Sequence, residues 1–178
     1  MTTTTINITE NDEMLQLNDA LRSYLTGELN AVTAEDLALL ADLLGQSLSF
    51  RDAFIAYILA PSEVSAEDMY LFESDPQSPE TGNRMSAILN TRFTDGSKPD
   101  TDMFDRARDL MWTVAGVAGE NTRCAAQTRA VVAYLYWWEG NDEEAIPAAM
   151  EALSLDEDCT LASIVMTAVV RNVHRNAA

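Results

Sequence analysis

Hydrophobic residues recur at intervals of three and four along most of the chain, and this spacing predicts a helical protein. A first helix is predicted from a cap at Thr9 or Asn11 to about Glu28. Thr33 then caps a second helix with acids in its first turn, and Gly45 is expected to end it. No segment alternates at period two for long enough to predict a strand.

The middle of the chain contains shorter helical segments separated by two polar loops. Ser47 or Ser49 is expected to cap the first of them. The predicted helices are Phe50–Leu59, ended by Pro61, then Met69–Glu73 after the cap Ser65, then Asn83–Arg92, and one from Asp100 or Thr101 to Gly116 or Gly119. The loops are expected at residues 74–82 and 94–101, where Asp, Ser, Gly and Pro cluster.

This pattern predicts an all-α fold, an irregular multi-helix domain of about seven to eight helices. Residues 1–178 are expected to form one helical domain. The loops permit a subdivision into an N-terminal part, 1–93, and a C-terminal part, 100–178.

Residues 126–159 resemble one copy of the 34-residue tetratricopeptide helix-turn-helix. Gly140 supplies the turn, and Ala145, Ala149 and Ala152 would let the two helices approach closely. The departures from the repeat pattern are Arg129, Ala133 and Glu157. Only one copy is recognisable, with residues 160–175 as a third, capping helix, so a hairpin inside a domain is predicted rather than a repeat array.

Aromatic side chains of this hairpin give the candidate partner-binding residues. A ligand-facing side would carry Gln127, Ala130, Tyr134, Trp137 and Trp138. The alternative is that the aromatics pack in the core against the helix around Trp112. Neighbouring residues lie about 100° apart around a helix, so only one of the two consecutive tryptophans is expected to face fully inward. The other is expected at an edge, as a candidate contact.

Three segments together resemble the C-terminal helical part of an actinobacterial family, domain of unknown function 4192. The segments are Leu37–Leu44, 49–55, and 133–141 running on to 152–156. The resemblance covers most of residues 30–170, thinly between 62 and 102. Longer members of that family begin with an α/β-like region that has no counterpart here. The resemblance implies no activity and no catalytic residues.

Charge changes the picture of what the protein can bind. Among 178 residues, 11 Lys and Arg stand against 29 Asp and Glu, a formal net charge of −18. Such a surface repels phosphate backbones and anionic lipids, so neither direct nucleic-acid binding nor membrane binding is expected. The start of the chain lacks the basic and apolar stretches of a signal peptide, and a cytoplasmic location is predicted.

Residues suited to metal binding or nucleophilic chemistry are few. Cys124, Cys159 and His174 are the only cysteines and histidine, too few for a zinc site within one chain. Both thiols are expected to stay free. No metal site, cofactor or catalytic group is predicted.

Three functions remain open. The leading hypothesis is a non-enzymatic helical interaction or scaffold module for an unknown protein partner, with a homodimer among the permitted arrangements. The second is a small-ligand binder or enzyme with a pocket near Arg51 and Asp52, a pair that a cap or a buried ion pair explains equally well. The third is an acidic mimic of nucleic acid. The acids at predicted helix starts, from Glu10, Asp12 and Glu13 onward, already have a local explanation as capping residues.

Overall fold

The computed structural model describes residues 3–119 and 121–175, with side chains from residue 12 onward. This part of the chain folds into nine α-helices and contains no strand. They are α1 (Thr3–Leu25), α2 (Ala34–Gln46), α3 (Leu48–Leu59), α4 (Ala66–Ser74), α5 (Pro79–Thr94), α6 (Thr101–Val117), α7 (Thr122–Glu139), α8 (Asp142–Leu155) and α9 (Thr160–Val170). The all-α prediction is confirmed. The count within the described ranges is nine rather than seven to eight.

Side-chain caps begin most of these helices where the sequence indicates. The Thr33 hydroxyl accepts a hydrogen bond from the Asp36 N–H at the start of α2. Ser65 and Asp68 form a reciprocal capping box at the start of α4, which satisfies two backbone donors that a helix leaves free. Ser47, rather than Ser49, caps α3 by accepting from the Phe50 N–H.

Two helix starts differ from the prediction. α1 begins at Thr3, well before Thr9, and it ends at Leu25 rather than Glu28. Asp12 and Glu13 therefore lie in the middle of α1 and not in its first turn. α5 begins at Pro79 instead of Asn83, because proline fits the first helical position, where no intrahelical N–H bond is needed.

Gly45 does not end α2 but lies inside its last turn. A Cβ atom at this position would lie 2.8 Å from Nδ2 of Asn121, in the connection between α6 and α7. Asn121 cannot easily move, since its Oδ1 accepts from the Cys124 N–H and caps α7. The glycine therefore allows a close approach between two distant segments instead of forming a turn.

Two helices, α3 and α7, form the centre of the molecule. Nearly every side chain from Phe50 to Leu59 is buried, as is most of α7 between Cys124 and Trp138. α2, α4, α5 and α6 pack around α3, whereas α2, α6, α8 and α9 pack around α7. Helices on both sides of residues 94–99 contribute to one continuous cluster of buried residues. None of the described helices has the length and apolar content to cross a membrane.

A buried carboxyl lies where α4 packs against α1. Both carboxyl oxygens of Glu73 are buried, as are both polar atoms of the neighbouring Asn18 side chain. None of these four atoms has a partner within normal hydrogen-bond geometry among the described residues. Burial raises the pKa of Glu73 to about 8, and the nearby Asn18 amide offsets this only in part. At neutral pH the folded protein therefore favours the protonated form of this carboxyl.

We predict that Glu73 makes the protein less stable as the pH rises. The pKa of Glu73 is raised on folding from 4.5 to about 8, so the folded state binds more protons within that interval. Its contribution to the free energy of unfolding is greatest below about pH 4.5 and declines until about pH 8. Glu73→Gln, which resembles the protonated acid, should match wild type near pH 5 and exceed it by about 2–4 kcal/mol at pH 8.5 in urea unfolding.

Glu80→Gln is the matched control, because Glu80 is an exposed acid in the first turn of α5. Its small difference from wild type should not change between pH 5 and pH 8.5. A Glu73→Gln difference that is equally independent of pH would contradict the prediction.

Candidate functional site

The tryptophan pair of α7 lies inside the protein. Trp137 and Trp138 are only 7% and 5% exposed. Their rings contact Phe93 from the end of α5, with ring centroids 6.0 and 5.8 Å away. Tyr134 packs against both at 5.4 and 5.6 Å. The prediction that one tryptophan lies at an exposed edge is wrong.

The segment after α9 covers these two tryptophans. The Trp137 indole N–H donates to the carbonyl of Val173 at 2.9 Å, and the Arg175 Nε donates to the carbonyl of Trp138 at 2.8 Å. Arg175 also donates to the carbonyl of Ser97. Residues 171–175 thus pack against the end of α7 and contribute to the burial of both tryptophans.

Trp112, on the helix against which the alternative interpretation packs the aromatics of α7, is itself exposed. It is 45% exposed, because the buried face of α6 carries Leu110, Met111 and Val114 and leaves Trp112 outside. The Arg129 guanidinium lies 5.4 Å from its ring centroid, so the ring is partly covered by a cation–π contact.

The remaining residues of the expected ligand-facing side also point inward. Gln127 and Ala130 are buried, and Tyr134 is largely enclosed. Burial raises the pKa of Tyr134, and the nearby charge of Asp52 raises it further. Gln127, Trp137 and Trp138 are at most 7% exposed, because other parts of this chain cover them.

Arg51 and Asp52, the alternative candidates, form a hydrogen-bonded group with Gln127. The Arg51 Nη1 donates to Gln127 Oε1 at 2.7 Å, which links α3 to α7. Its Nε and Nη2 both donate to Asp52 Oδ1, at 2.9 and 2.7 Å. The guanidinium is buried and the carboxylate is half-exposed. This arrangement satisfies a buried charge by two partners, as a structural ion pair requires.

A groove of about 530 Å³ runs beside this group, between the start of α3 and the α4–α5 connection. Its walls include Gln46, Asp52, Phe72, Gln77, Gly82 and Met85. Asp52 reaches the groove whereas Arg51 lies behind it. The volume falls within the range of small-molecule sites, and the walls mix apolar and amide side chains.

The outer side of α9 is the most exposed apolar surface of the C-terminal helices. Ile164 is 56% exposed and Val170 is 79% exposed, and Val173 lies beyond them. A groove of about 380 Å³ runs along this side between Ser163 and Val173. α9 carries no charged residue, although the chain as a whole has 29 acids.

Sequence reasoning treated residues 160–175 as a capping helix and did not identify this surface. The signal that the sequence offers is the run from Thr160 to Val170, which contains no charged residue. We call the exposed side chains of Thr160, Ser163, Ile164, Thr167, Val170 and Arg171 the α9 surface.

The thiols and many of the acids have local roles. Cys124 and Cys159 are both free and buried, and burial raises the pKa of Cys124 to about 11 and that of Cys159 above its usual value. The residues that the structure describes contain no cluster of His, Cys, Asp or Glu able to hold a metal ion. Several acids cap helices or pair with arginines, such as Asp68 with Arg84.

A scan of protein-family models and searches of curated proteins and solved structures found no match for this chain.

We predict that the Arg51–Gln127 contact contributes to folding. Gln127→Leu leaves a buried guanidinium N–H without an acceptor and should lower the free energy of unfolding by about 1–3 kcal/mol. Arg51→Met combined with Gln127→Leu should lose less than the sum of the two single variants, because the second change removes an already broken contact. Gln77→Leu, at an exposed glutamine, is the control and should change stability by less than about 0.5 kcal/mol. Strictly additive losses in urea unfolding would refute the contact's contribution.

Proposed function

We propose that the protein is a non-enzymatic helical interaction module and that the α9 surface makes the contact. The observation that carries this proposal is an exposed helix face without charge, which presents Ile164 and Val170 among hydroxyl side chains, on a chain of net charge −18. Apolar side chains left in water on one face gain free energy when a partner covers them. Depletion of charge at the centre of a patch is also typical of protein interfaces.

The position of α9 in the fold supports the proposal. α7, α8 and α9 pack on one another in sequence, with Gly140 in the left-handed conformation at the end of α7. We propose that α7 and α8 form a tetratricopeptide-like hairpin on which α9 stacks as the final helix. In such stacks each unit covers the next and the last one normally has a polar outer face. Ile164 and Val170 are exposed on α9 instead, and a partner would cover them. The resemblance to the domain of unknown function 4192 family remains a prediction beside this one.

The state of the most reactive side chains also favours a binding role over a catalytic one. Burial keeps the Cys124 thiol protonated at neutral pH, and a thiol in that state is a poor nucleophile. The Arg51 guanidinium is buried and bonded to Asp52 and Gln127. We therefore assign these groups to the stability of the fold.

The proposal predicts that a photo-reactive residue at position 164 captures a protein in an extract of the native cell. Leu71, which is exposed on α4 far along the chain, is the matched control position. The adduct should form at 164 and not at 71. An excess of unlabelled wild-type chain should suppress an adduct with a different protein, or increase an adduct with a second copy of this chain, whereas an excess of the Ile164→Glu chain should do neither. Equal labelling at both positions, or none at 164, would refute the role of the α9 surface.

A second candidate function is small-ligand binding in the groove beside Asp52. It is favoured by the volume of about 530 Å³ and by the amides of Gln46 and Gln77 on its walls. Gly82 also lines this groove, and a Cβ there would meet nothing within 4 Å, so a larger side chain can enter the groove without disturbing the fold.

For this second candidate we predict that a compound raising the melting temperature of the wild type no longer does so in Gly82→Leu. Gly116→Leu is the matched control, since Gly116 is also helical with open space around its Cβ position but lies on α6. Screening a library of metabolites by thermal shift, with both variants in parallel, provides the measurement. A compound whose effect survives in Gly82→Leu binds elsewhere, and no shift from any compound would remove the candidate.

A further inference from the structure

We infer that the partner of the α9 surface is a second copy of this chain, with the two α9 helices packed antiparallel. This inference rests on the proposed function and deepens it by naming the occupant. Three properties of the surface lead to it: the lack of charge between Thr160 and Val170, the charges that flank this run, and the groove beside Ile164.

Charge restricts where two copies can meet. Each chain carries a net charge of −18, so two copies repel each other through most of their surfaces. The run from Thr160 to Val170 contains no Asp or Glu. Contact through this helix brings together a part of each chain that has no carboxylates to desolvate. The repulsion between the remaining charges of the two chains is screened over about 8–10 Å at physiological salt.

Opposite charges flank α9 at equal separations along the sequence from Ile164. Glu157 lies seven residues before Ile164, and Arg171 lies seven residues after it. Glu157, Asp158 and Arg171 are all exposed, and none of them forms an ion pair with a described residue. The neighbouring Arg175 is already held by the carbonyls of Trp138 and Ser97.

This distribution favours an antiparallel arrangement. A two-fold axis near Ile164 places Arg171 of each copy beside the acidic turn of the other, so the same pair of opposite charges forms twice. A parallel arrangement would place the acidic turns side by side and the two arginines side by side. A surface that complements itself in this way is what a closed two-fold dimer requires.

The shape of the surface allows two helices to approach. Ser163 and Thr167 are small residues beside Ile164, and the groove of about 380 Å³ runs between them and Val173. The strongly exposed Val170 side chain protrudes next to this groove. Apolar side chains of one helix can therefore enter the groove of the other at the 8–10 Å separation typical of packed helices.

The size of the contact sets its expected strength. A helix of this length is about 16 Å long at 1.5 Å per residue, so the pair buries less than the 1,200–2,000 Å² of standard interfaces. We therefore expect a reversible dimer that forms at micromolar or higher concentration, not an obligate one.

Sedimentation equilibrium of the purified full chain tests the contact surface. Wild type should show a monomer–dimer equilibrium, and Leu71→Glu should show the same one, since Leu71 lies on the distant α4. Ile164→Glu should weaken the dimer at least tenfold while leaving the circular dichroism spectrum and melting temperature unchanged, because Ile164 is exposed. A wild type that stays monomeric throughout, or an Ile164→Glu variant that dimerises like wild type, overturns the inference.

A charge swap tests the antiparallel arrangement. Arg171→Glu alone and Glu157→Arg alone should each weaken the dimer about fivefold, since each places like charges together at two symmetric positions. Combining Glu157→Arg with Arg171→Glu keeps the net charge at −18 and restores opposite pairs, so affinity should return to near the wild-type value. Failure of the combined variant to recover overturns the antiparallel pairing.

The failure of this inference is distinguishable from the failure of the proposed function. If the purified chain stays monomeric but a photo-reactive residue at 164 captures a different protein, the second copy is excluded and the interaction module stands. If the chain is monomeric and position 164 captures nothing, both are overturned.

Discussion

Two helices that have almost no free surface determine where the others lie. α3 is buried on nearly every side, and a helix that is apolar all round must be enclosed by its neighbours. α7 is in the same position, and it carries the tryptophans as well. The Arg51–Gln127 hydrogen bond joins the two within the core. The other helices form the enclosure, and the segment after α9 completes it over Trp137.

Because the core helices are enclosed, the residues available for binding lie on the outer helices. Several of the many carboxylates serve helix starts or arginine partners, as at Asp68, and others maintain a strongly negative exterior. Such an exterior keeps copies and other acidic proteins apart. Against this background an uncharged apolar helix face stands out, because it has neither a capping role nor a contact within the described chain.

Local features were predictable from the sequence and long-range ones were not. The helical class follows from residue spacing, and the caps at Thr33 and Ser65 follow from side chains within three residues of the groups they bond. The burial of both tryptophans depends on Phe93 and Val173, which no local pattern connects to α7. Among the candidate sites, the Arg51 and Asp52 pairing was foreseen as one alternative. Its third member, Gln127, comes from 76 residues away.

That separation along the chain has a consequence for synthesis on the ribosome. α3 emerges long before α7, so the side of α3 that contacts α7 has no partner while the intervening residues are being made. At about 5–20 residues per second, the 76 residues between Arg51 and Gln127 take roughly 4–15 seconds to appear. During that interval Phe50–Leu59 is a short and strongly apolar segment in contact with water. It carries no charge apart from its first turn. The nascent chain therefore depends on chaperones or on early packing by α2 and α4 to keep this helix from associating with other chains.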